Sequence, residues 1–349
     1  MKHGKKEETR KLTIEHIAKI TKYSASTVSR ALRNDPAAKG ETAEKIREVA
    51  RKLNYFPNLL AKGLRQNKTG TIGIIFNDLN NPFYTEILSE MAEVLNEKNY
   101  SMFICYSHYD PERERKNIIS LLSKKVDGII ISPIGARSEN IKLIRENRVE
   151  TVFIDSLPAY KDRSYVYTDH RKGVETAAEY LIKNGHRKIL LYIGPREKFM
   201  ADHFIKGYRK TLGKYGIPAK EQNVLEAAKL SIECGYETFK RLLTGDRPGK
   251  NPDFTGIITQ SDLLAIGVYK TARELGIAIP DNYSIVGYDN IEVTSALSPP
   301  LTTVHQSRKR IGRESVNILL NNIENGASEA KVVCIEPYIV IRGSVRKIN

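Results

Sequence analysis

The amino-acid sequence predicts a small α-helical helix-turn-helix headpiece followed by an α/β core of two doubly wound lobes. Three observations lead there. The chain has 349 residues, too many for one compact core. Its formal net charge is +15, and residues 1–69 hold 17 Lys/Arg against 7 Asp/Glu, so a fifth of the chain carries two thirds of the excess. From Thr71 onward, short runs rich in Ile and Val alternate with helical patterns, the texture of parallel sheets covered on both faces.

Residues 1–11 read as a disordered basic leader. Residues 12–56 read as three short helices. The first opens at Thr13, a residue type suited to the N-cap, with apolar positions at Ile14, Ile17 and Ala18 and Ile20 as a further candidate. Ser24 can cap a second helix, in which Ala25, Val28, Ala31 and Leu32 share an apolar side while Ser26, Ser29, Arg30 and Arg33 lie off it. A third spans roughly Thr42 to Leu53, with Ile46, Val49, Ala50 and Leu53 inward. Two short helices joined by a tight turn and braced by a third make a helix-turn-helix. The polar side of the second helix is then available to a major groove. Clustered cations suit phosphate contacts; a solubilising basic tail is the alternative reading.

Residues 57–70 read as a hinge helix and linker. Asn58 to Leu64 makes barely two turns, marginal in water by nucleation cost, and Gly63 weakens it by ~1 kcal/mol relative to Ala. In the core, residues 71–349, "TIGIIF", "SMFICY", "VDGIIISP", "VETVFID", "RKILLYIG", "GIITQS" and "YSIVGYD" read as strands with helices between them. They are too many for one small sheet, hence two lobes.

Several function classes find no support. Cys105, Cys234 and Cys334 are far apart, so neither a zinc site nor a disulfide framework is signalled. The basic N-terminus is followed by no apolar h-region and no run approaches a membrane span, so a cytoplasmic protein without membrane partners is expected. "GDRPGK" lacks the spacing and the following Ser/Thr of a P-loop, and GxSxG and HExxH are absent. No cofactor is implied, and an enzyme of sugar metabolism has no identifiable nucleophile or base.

Ordered motifs sharpen this reading. "TVSRAL" at Thr27–Leu32, "LNYFPNLLAKGL" at Leu53–Leu64, "TIGIIFNDLNNPFY" at Thr71–Tyr84, "VDGIII" at Val126–Ile131, "NGHRKI" at Asn184–Ile189, "IPDNYSIVGYDN" at Ile279–Asn290 and "SPPLTTVHQ" at Ser298–Gln306 follow one another in sequence. In that order, with the basic head, the chain resembles the lactose-repressor family of bacterial transcription regulators over about Leu12 to Ser344. The resemblance implies a periplasmic-binding-protein-like type I core. Lobe 1 would be about 71–168 and 300–332, lobe 2 about 169–299 and 333–349, with an effector cleft between them. It implies a homodimer on a palindromic double-stranded operator, without the C-terminal heptad helix of family tetramers, and a repressor of carbohydrate-metabolism genes.

The resemblance also carries over residues. Ala25, Ser26 and Arg30 become base-facing, with Arg30 able to fork onto guanine. Thr13, Ser29 and Asn34 become phosphate-side or capping groups. Asn58 and Lys62 fall in the hinge, where Leu64 matches a minor-groove wedge; Leu64 packing on its own headpiece is the alternative. Cleft positions are Asn77, Asp78, Phe83, Tyr84, Asp155, Ser261, Asp262 and Asp289, a set of carboxylates and aromatics suited to a sugar or sugar derivative. Asp78 also reads as a turn residue and Asp262 as a helix cap. Two departures stand out. The third helix lacks a Ser-type cap, leaving Gly40. Phe204 stands where the family often has an arginine, so stacking on a sugar ring replaces an anion clamp, with Lys198 and His203 as nearby cations; His203 alone reads as an exposed helix residue. A regulator with a protein co-effector is the closest alternative. A transport solute-binding protein is a remote one, because a basic helix-turn-helix stands where a signal peptide is needed.

Overall fold

The computed structural model describes residues 12–32, 35, 38–55, 68–135, 138–156, 159–196, 199–220, 223–245, 253–326 and 329–348. The expected basic leader, the hinge helix with Asn58, Lys62 and Leu64, and also Asn34 and Lys198, lie outside the described residues. The chain divides into two compact units, Met1–Thr69 and Gly70–Asn349.

In the first unit, α1 (Ile14–Thr21), α2 (Ala25–Leu32) and α3 (Glu41–Lys52) enclose a small core of Ile17, Val28, Ala31, Ala43 and Ile46. The helical period places Ile17 and Val28 inward, where both are fully buried. Ile20 does not join them and is 55% exposed, at the end of α1. Lys22 ends α1 in a left-handed conformation. Ser24 Oγ accepts from the Thr27 amide at 3.2 Å, the first-turn cap its residue type predicts. Gly40, at φ +87°, precedes α3 without a side-chain cap. Arg47 Nε donates to the Ala31 carbonyl at 3.0 Å, which ties α3 to the last turn of α2 and satisfies an end carbonyl.

The second unit contains two six-stranded sheets. The first has β1 (Thr71–Phe76), β2 (Ser101–Tyr106), β3 (Gly128–Ile131), β4 (Glu150–Ile154), β5 (Ser164–Thr168) and β11 (Val332–Ile335), in the order β11-β5-β4-β3-β1-β2 and parallel throughout. The second has β6 (Ile189–Ile193), β7 (Val224–Glu226), β8 (Gly256–Thr259), β9 (Ser284–Asp289), β10 (Thr302–His305) and β12 (Tyr338–Val340), in the order β12-β10-β9-β8-β6-β7. Only β12 runs antiparallel there, with Thr303 opposite Val340. Helices cover both faces of each sheet: α4 (Pro82–Glu97), α5 (Pro111–Ser123), α6 (Glu139–Glu146) and α11 (Arg308–Asn325) on the first, α7 (His170–Lys183), α8 (Phe199–Lys214), α9 (Ile232–Thr244) and α10 (Asp262–Glu274) on the second. Central strands are buried on both faces, which explains their unbroken Ile/Val runs. The edge strand β2 departs from that expectation and exposes Phe103, Ile104 and Tyr106. Helices α9 and α10 pack with little room: a Cβ on Gly267 would lie 2.4 Å from the Tyr236 backbone nitrogen.

The chain passes between the sheets three times, from β5 to α7, from β10 to α11 and from β11 to β12. Strand membership differs from the sequence-based lobe boundaries at 300 and 333. Thr302–His305 pairs with β9 in the second sheet, and Val332–Ile335 pairs with β5 in the first. Strand pairing decides this, with β11 meeting a partner 167 residues away, and the local apolar pattern does not say which sheet a strand joins.

Candidate functional site

On the headpiece, the buried side of α2 is Val28 and Ala31, while Ala25, Ser26 and Arg30 are exposed. Ala25 therefore leaves the apolar side assigned to it by period and joins the outward face. Ser26 and Arg30, four apart, share one face of the helix. Ser26 Oγ lies 2.8 Å from the capping Ser24 Oγ. Ser29 is half-buried beside them. Thr13 is exposed; its amide donates to His16 Nδ1 at 3.1 Å.

In the core, a cleft opens at the carboxyl ends of both sheets, where α/β lobes place ligands. Its walls include Asn77, Phe83, Tyr84 and Asp155 from one lobe and Phe204, Ser261, Tyr288 and Asp289 from the other. The space open to water centres is about 100 Å³. No described lining residue is Lys or Arg.

Both carboxylates are held from several sides. Asp155 follows β4 with φ +49° and accepts from the Tyr84 hydroxyl at 3.0 Å. His170 Nε2 stands 3.3 Å from Asp155 Oδ1, near enough for an ion pair but not aligned as a hydrogen bond. Asp289 ends β9 with φ +118°. Its Oδ1 accepts from Gln306 Nε2 at 2.7 Å and its Oδ2 from Ser261 Oγ at 2.9 Å. Burial pushes the Asp289 carboxyl up to about 7, against the opposing pull of those two hydrogen bonds and the Arg308 charge. Burial likewise raises the Tyr84 phenol, with the Asp155 charge adding to it. Positive φ in a non-glycine residue persists only where its surroundings impose it, and such residues gather at binding sites.

The predicted residues fare unequally. Asn77 lines the cleft but its amide is engaged, donating to Ser132 Oγ at 3.0 Å and accepting from Ser107 Oγ at 3.2 Å. Ser261 does two things: its Oγ also accepts from the Leu263 amide at 3.3 Å and caps α10. Phe204 forms part of the floor, 1% exposed, edge-on to Tyr288 with ring centroids 4.7 Å apart. Two candidates are corrected. Asp78 stays outside the lining and closes a turn, accepting from the Asn80 amide at 2.9 Å. Asp262 is fully buried away from the cleft, where it accepts from Thr303 Oγ1 at 2.7 Å and the Ile291 amide at 2.9 Å. It fits only because residue 287 is glycine: a Cβ there would sit 2.1 Å from Asp262 Oδ1.

Sequence reasoning missed Tyr109, His170, Gln260, Tyr288 and Gln306, all in the lining. His170 and Gln306 lie where the chain crosses between lobes. His170 Nδ1 is 3.1 Å from the Tyr288 hydroxyl, so its ring links Asp155 of one lobe to Tyr288 of the other. His170 Nε2 and Gln306 Oε1 are buried without a hydrogen-bond partner, the condition a polar ligand relieves. Among the described residues there is no cluster able to hold a metal ion and no helix long and apolar enough to cross a membrane.

Comparison with known proteins agrees with both halves of this geometry. Residues 69–342 match the family model of periplasmic binding proteins and the sugar binding domain of the LacI family, and residues 13–58 match that of bacterial regulatory proteins, lacI family. The HTH-type transcriptional repressor PurR of Vibrio parahaemolyticus is 30% identical over 341 residues, 97% of this chain and 99% of the relative. A LacI family transcriptional regulator from Enterococcus faecium with bound ribose superposes with a TM-score of 0.71 at 26% identity, covering 80% of this chain and all of that one. The lac repressor dimer bound to operator and the anti-inducer ONPF gives a TM-score of 0.84 at 22% identity, covering 97% of this chain and all of that one, a likeness of fold.

Proposed function

The chain belongs to the LacI family of bacterial regulatory proteins, which are DNA-binding transcription regulators and not enzymes, and from that premise we propose that it is a cytoplasmic repressor that binds a palindromic operator as a homodimer under the control of a small carbohydrate effector. The observation that carries the effector reading is the cleft itself. A buried carboxylate, Asp289, and a partly buried one, Asp155, with amide groups, an aromatic floor and no described lining lysine or arginine, suit an uncharged ligand rich in hydroxyl donors. The ribose-bound relative from Enterococcus faecium supports a monosaccharide. A planar heterocycle donating N–H groups meets the same carboxylates and the same aromatic floor. The PurR repressors, 30% identical, make that the second reading.

The dimer is supported by the exposed apolar strand edge formed by Phe103, Ile104 and Tyr106, with Ile119 also exposed on α5. Such edges and patches mark association surfaces. Two half-sites also multiply the modest affinity of one headpiece through effective concentration. Selection of bound sequences from random duplex DNA tests the DNA reading; recovered sites should be palindromes with one fixed half-site spacing, and unpaired half-sites would refute the dimer. Thermal shift against monosaccharides, their phosphates, nucleosides and free nucleobases tests the effector, since a specific ligand must raise the melting temperature. A neutral sugar should do so. Stabilisation by a nucleobase alone would establish the second reading, and no response from any compound would favour a protein co-effector.

The outward face of α2 carries its own prediction. Arg30→Ala should cost ~1–3 kcal/mol of specific binding and relax preference at one base position. Binding measured on the selected operator and its single-base variants checks this. An equal loss on every sequence would assign Arg30 to phosphate instead.

A further inference from the structure

One guanidinium joins the two lobes directly beside the cleft. Arg308 opens α11 and is 5% exposed. Its Nε donates to Glu86 Oε2 at 2.7 Å, on α4 of the first lobe. Its Nη2 donates to the Asn290 carbonyl at 2.8 Å and its Nη1 to the Asp289 carbonyl, both at the end of β9 in the second lobe. The planar fork of arginine lets one group serve a carboxylate on one side and two carbonyls on the other. Both carbonyls belong to residues at positive φ, +118° for Asp289 and +57° for Asn290. This clamp therefore acts where the backbone most needs outside support.

We infer that Arg308 is a positioning residue for the Asp289 carboxylate and that Glu86, in the same lobe as α11, anchors it there, so that one guanidinium sets both the lobe arrangement and the placement of a cleft carboxylate across from it. If the lobes part on this side, Arg308 keeps Glu86 but leaves both carbonyl acceptors behind, so the N–H groups that served them lose their partners. Those groups must then turn toward water, and the Asp289–Asn290 turn loses its clamp. A ligand that grips Asp289 is bound to the turn that this clamp holds. The inference rests on the effector reading only for its purpose; the latch itself is present without any ligand.

Hydrogen exchange of the full chain, followed by mass spectrometry without added ligand, tests it. Glu86→Gln preserves size and removes the charge, and the Glu86 side chain is 37% exposed, so no cavity is created. The Asn290 and Ile291 amides and the first turn of α11 should exchange at least tenfold faster, while β3, β4, β6 and β8 keep wild-type rates. Glu86→Asp, which retains the charge, should recover most of the protection. Wild-type exchange at Asn290 and Ile291 in the Gln variant would overturn the latch. So would acceleration spread evenly over both sheets, or an Asp variant as fast as the Gln one. No ligand enters the measurement, so failure of the whole effector panel leaves this result standing, and loss of the latch leaves the effector reading standing.

Discussion

Ile46→Ala is expected to abolish sequence-specific DNA binding by unfolding the headpiece. Ile46 is fully buried in the cluster of Ile17, Val28, Ala31 and Ala43 that holds α1, α2 and α3 together. Truncating a buried isoleucine costs ~2–5 kcal/mol. A domain is stable by only ~0.05–0.15 kcal/mol per residue, roughly 3–8 kcal/mol for some fifty-five residues. The loss therefore approaches the whole stability of the headpiece. The second unit has its own hydrophobic clusters around both sheets, so its melting transition and ligand response should be retained. Calorimetry and gel-shift assays on the selected operator separate the two units. Wild-type affinity in this variant would show that the five-residue core is not what presents α2.

Asp289→Asn is expected to remove the effector response and, at the same time, to stabilise the folded core above neutral pH. An amide there offers a donor where the ligand needs a charged acceptor, at ~1.5–3 kcal/mol per lost hydrogen bond, or roughly ten- to hundredfold in affinity. The stability effect follows from proton linkage. The folded chain holds the Asp289 proton up to about 7, while an unfolded aspartate releases it near ~3.9. Asp289 therefore stabilises least at high pH, and its contribution is lost as pH rises from about 4 to about 7. His305 does the reverse. Burial, with Arg308 nearby, holds it down to about 4, against ~6.5 unfolded. Its contribution is lost as pH falls through that window. In the wild type the two trends oppose one another. In the variant only the His305 trend remains of this pair, so stability should fall on acidification by up to about 1.4 kcal/mol per pH unit relative to wild type. Urea unfolding at several pH values between 5 and 8 reads the difference. Parallel stability curves for the two proteins would refute it.

Much of the architecture was legible because it is written in local period. Val28, Ala31 and Leu32 recur at helical spacing, and "TIGIIF" or "RKILLYIG" are apolar on both sides because both sides are covered. The membership of β10 and β11 was not, since it depends on which strand each pairs with, and an apolar run does not encode its partner. The cleft shows the same division. Asp155 and Asp289 were recoverable as carboxylates ending apolar runs. Asp262 also follows such a run, yet one residue beyond the capping Ser261 it turns inward to Thr303, and only the position of β10 shows that. His170 and Gln306 carry no local signal, because what makes them important is where the chain crosses between lobes.

Those two crossing residues have a consequence for how such a cleft diversifies. Tyr84 and Ser261 reach the ligand space from positions anchored in a single lobe, so exchanging them leaves the crossings between the lobes in place. His170 and Gln306 are floor and crossing at once. A change in ligand preference made through the walls leaves the inherited response intact, whereas one made through the floor rewrites recognition and response in a single step. Directed libraries confined to the walls should therefore yield altered ligands with the original regulatory logic, and libraries in the floor should yield inverted or unresponsive regulators.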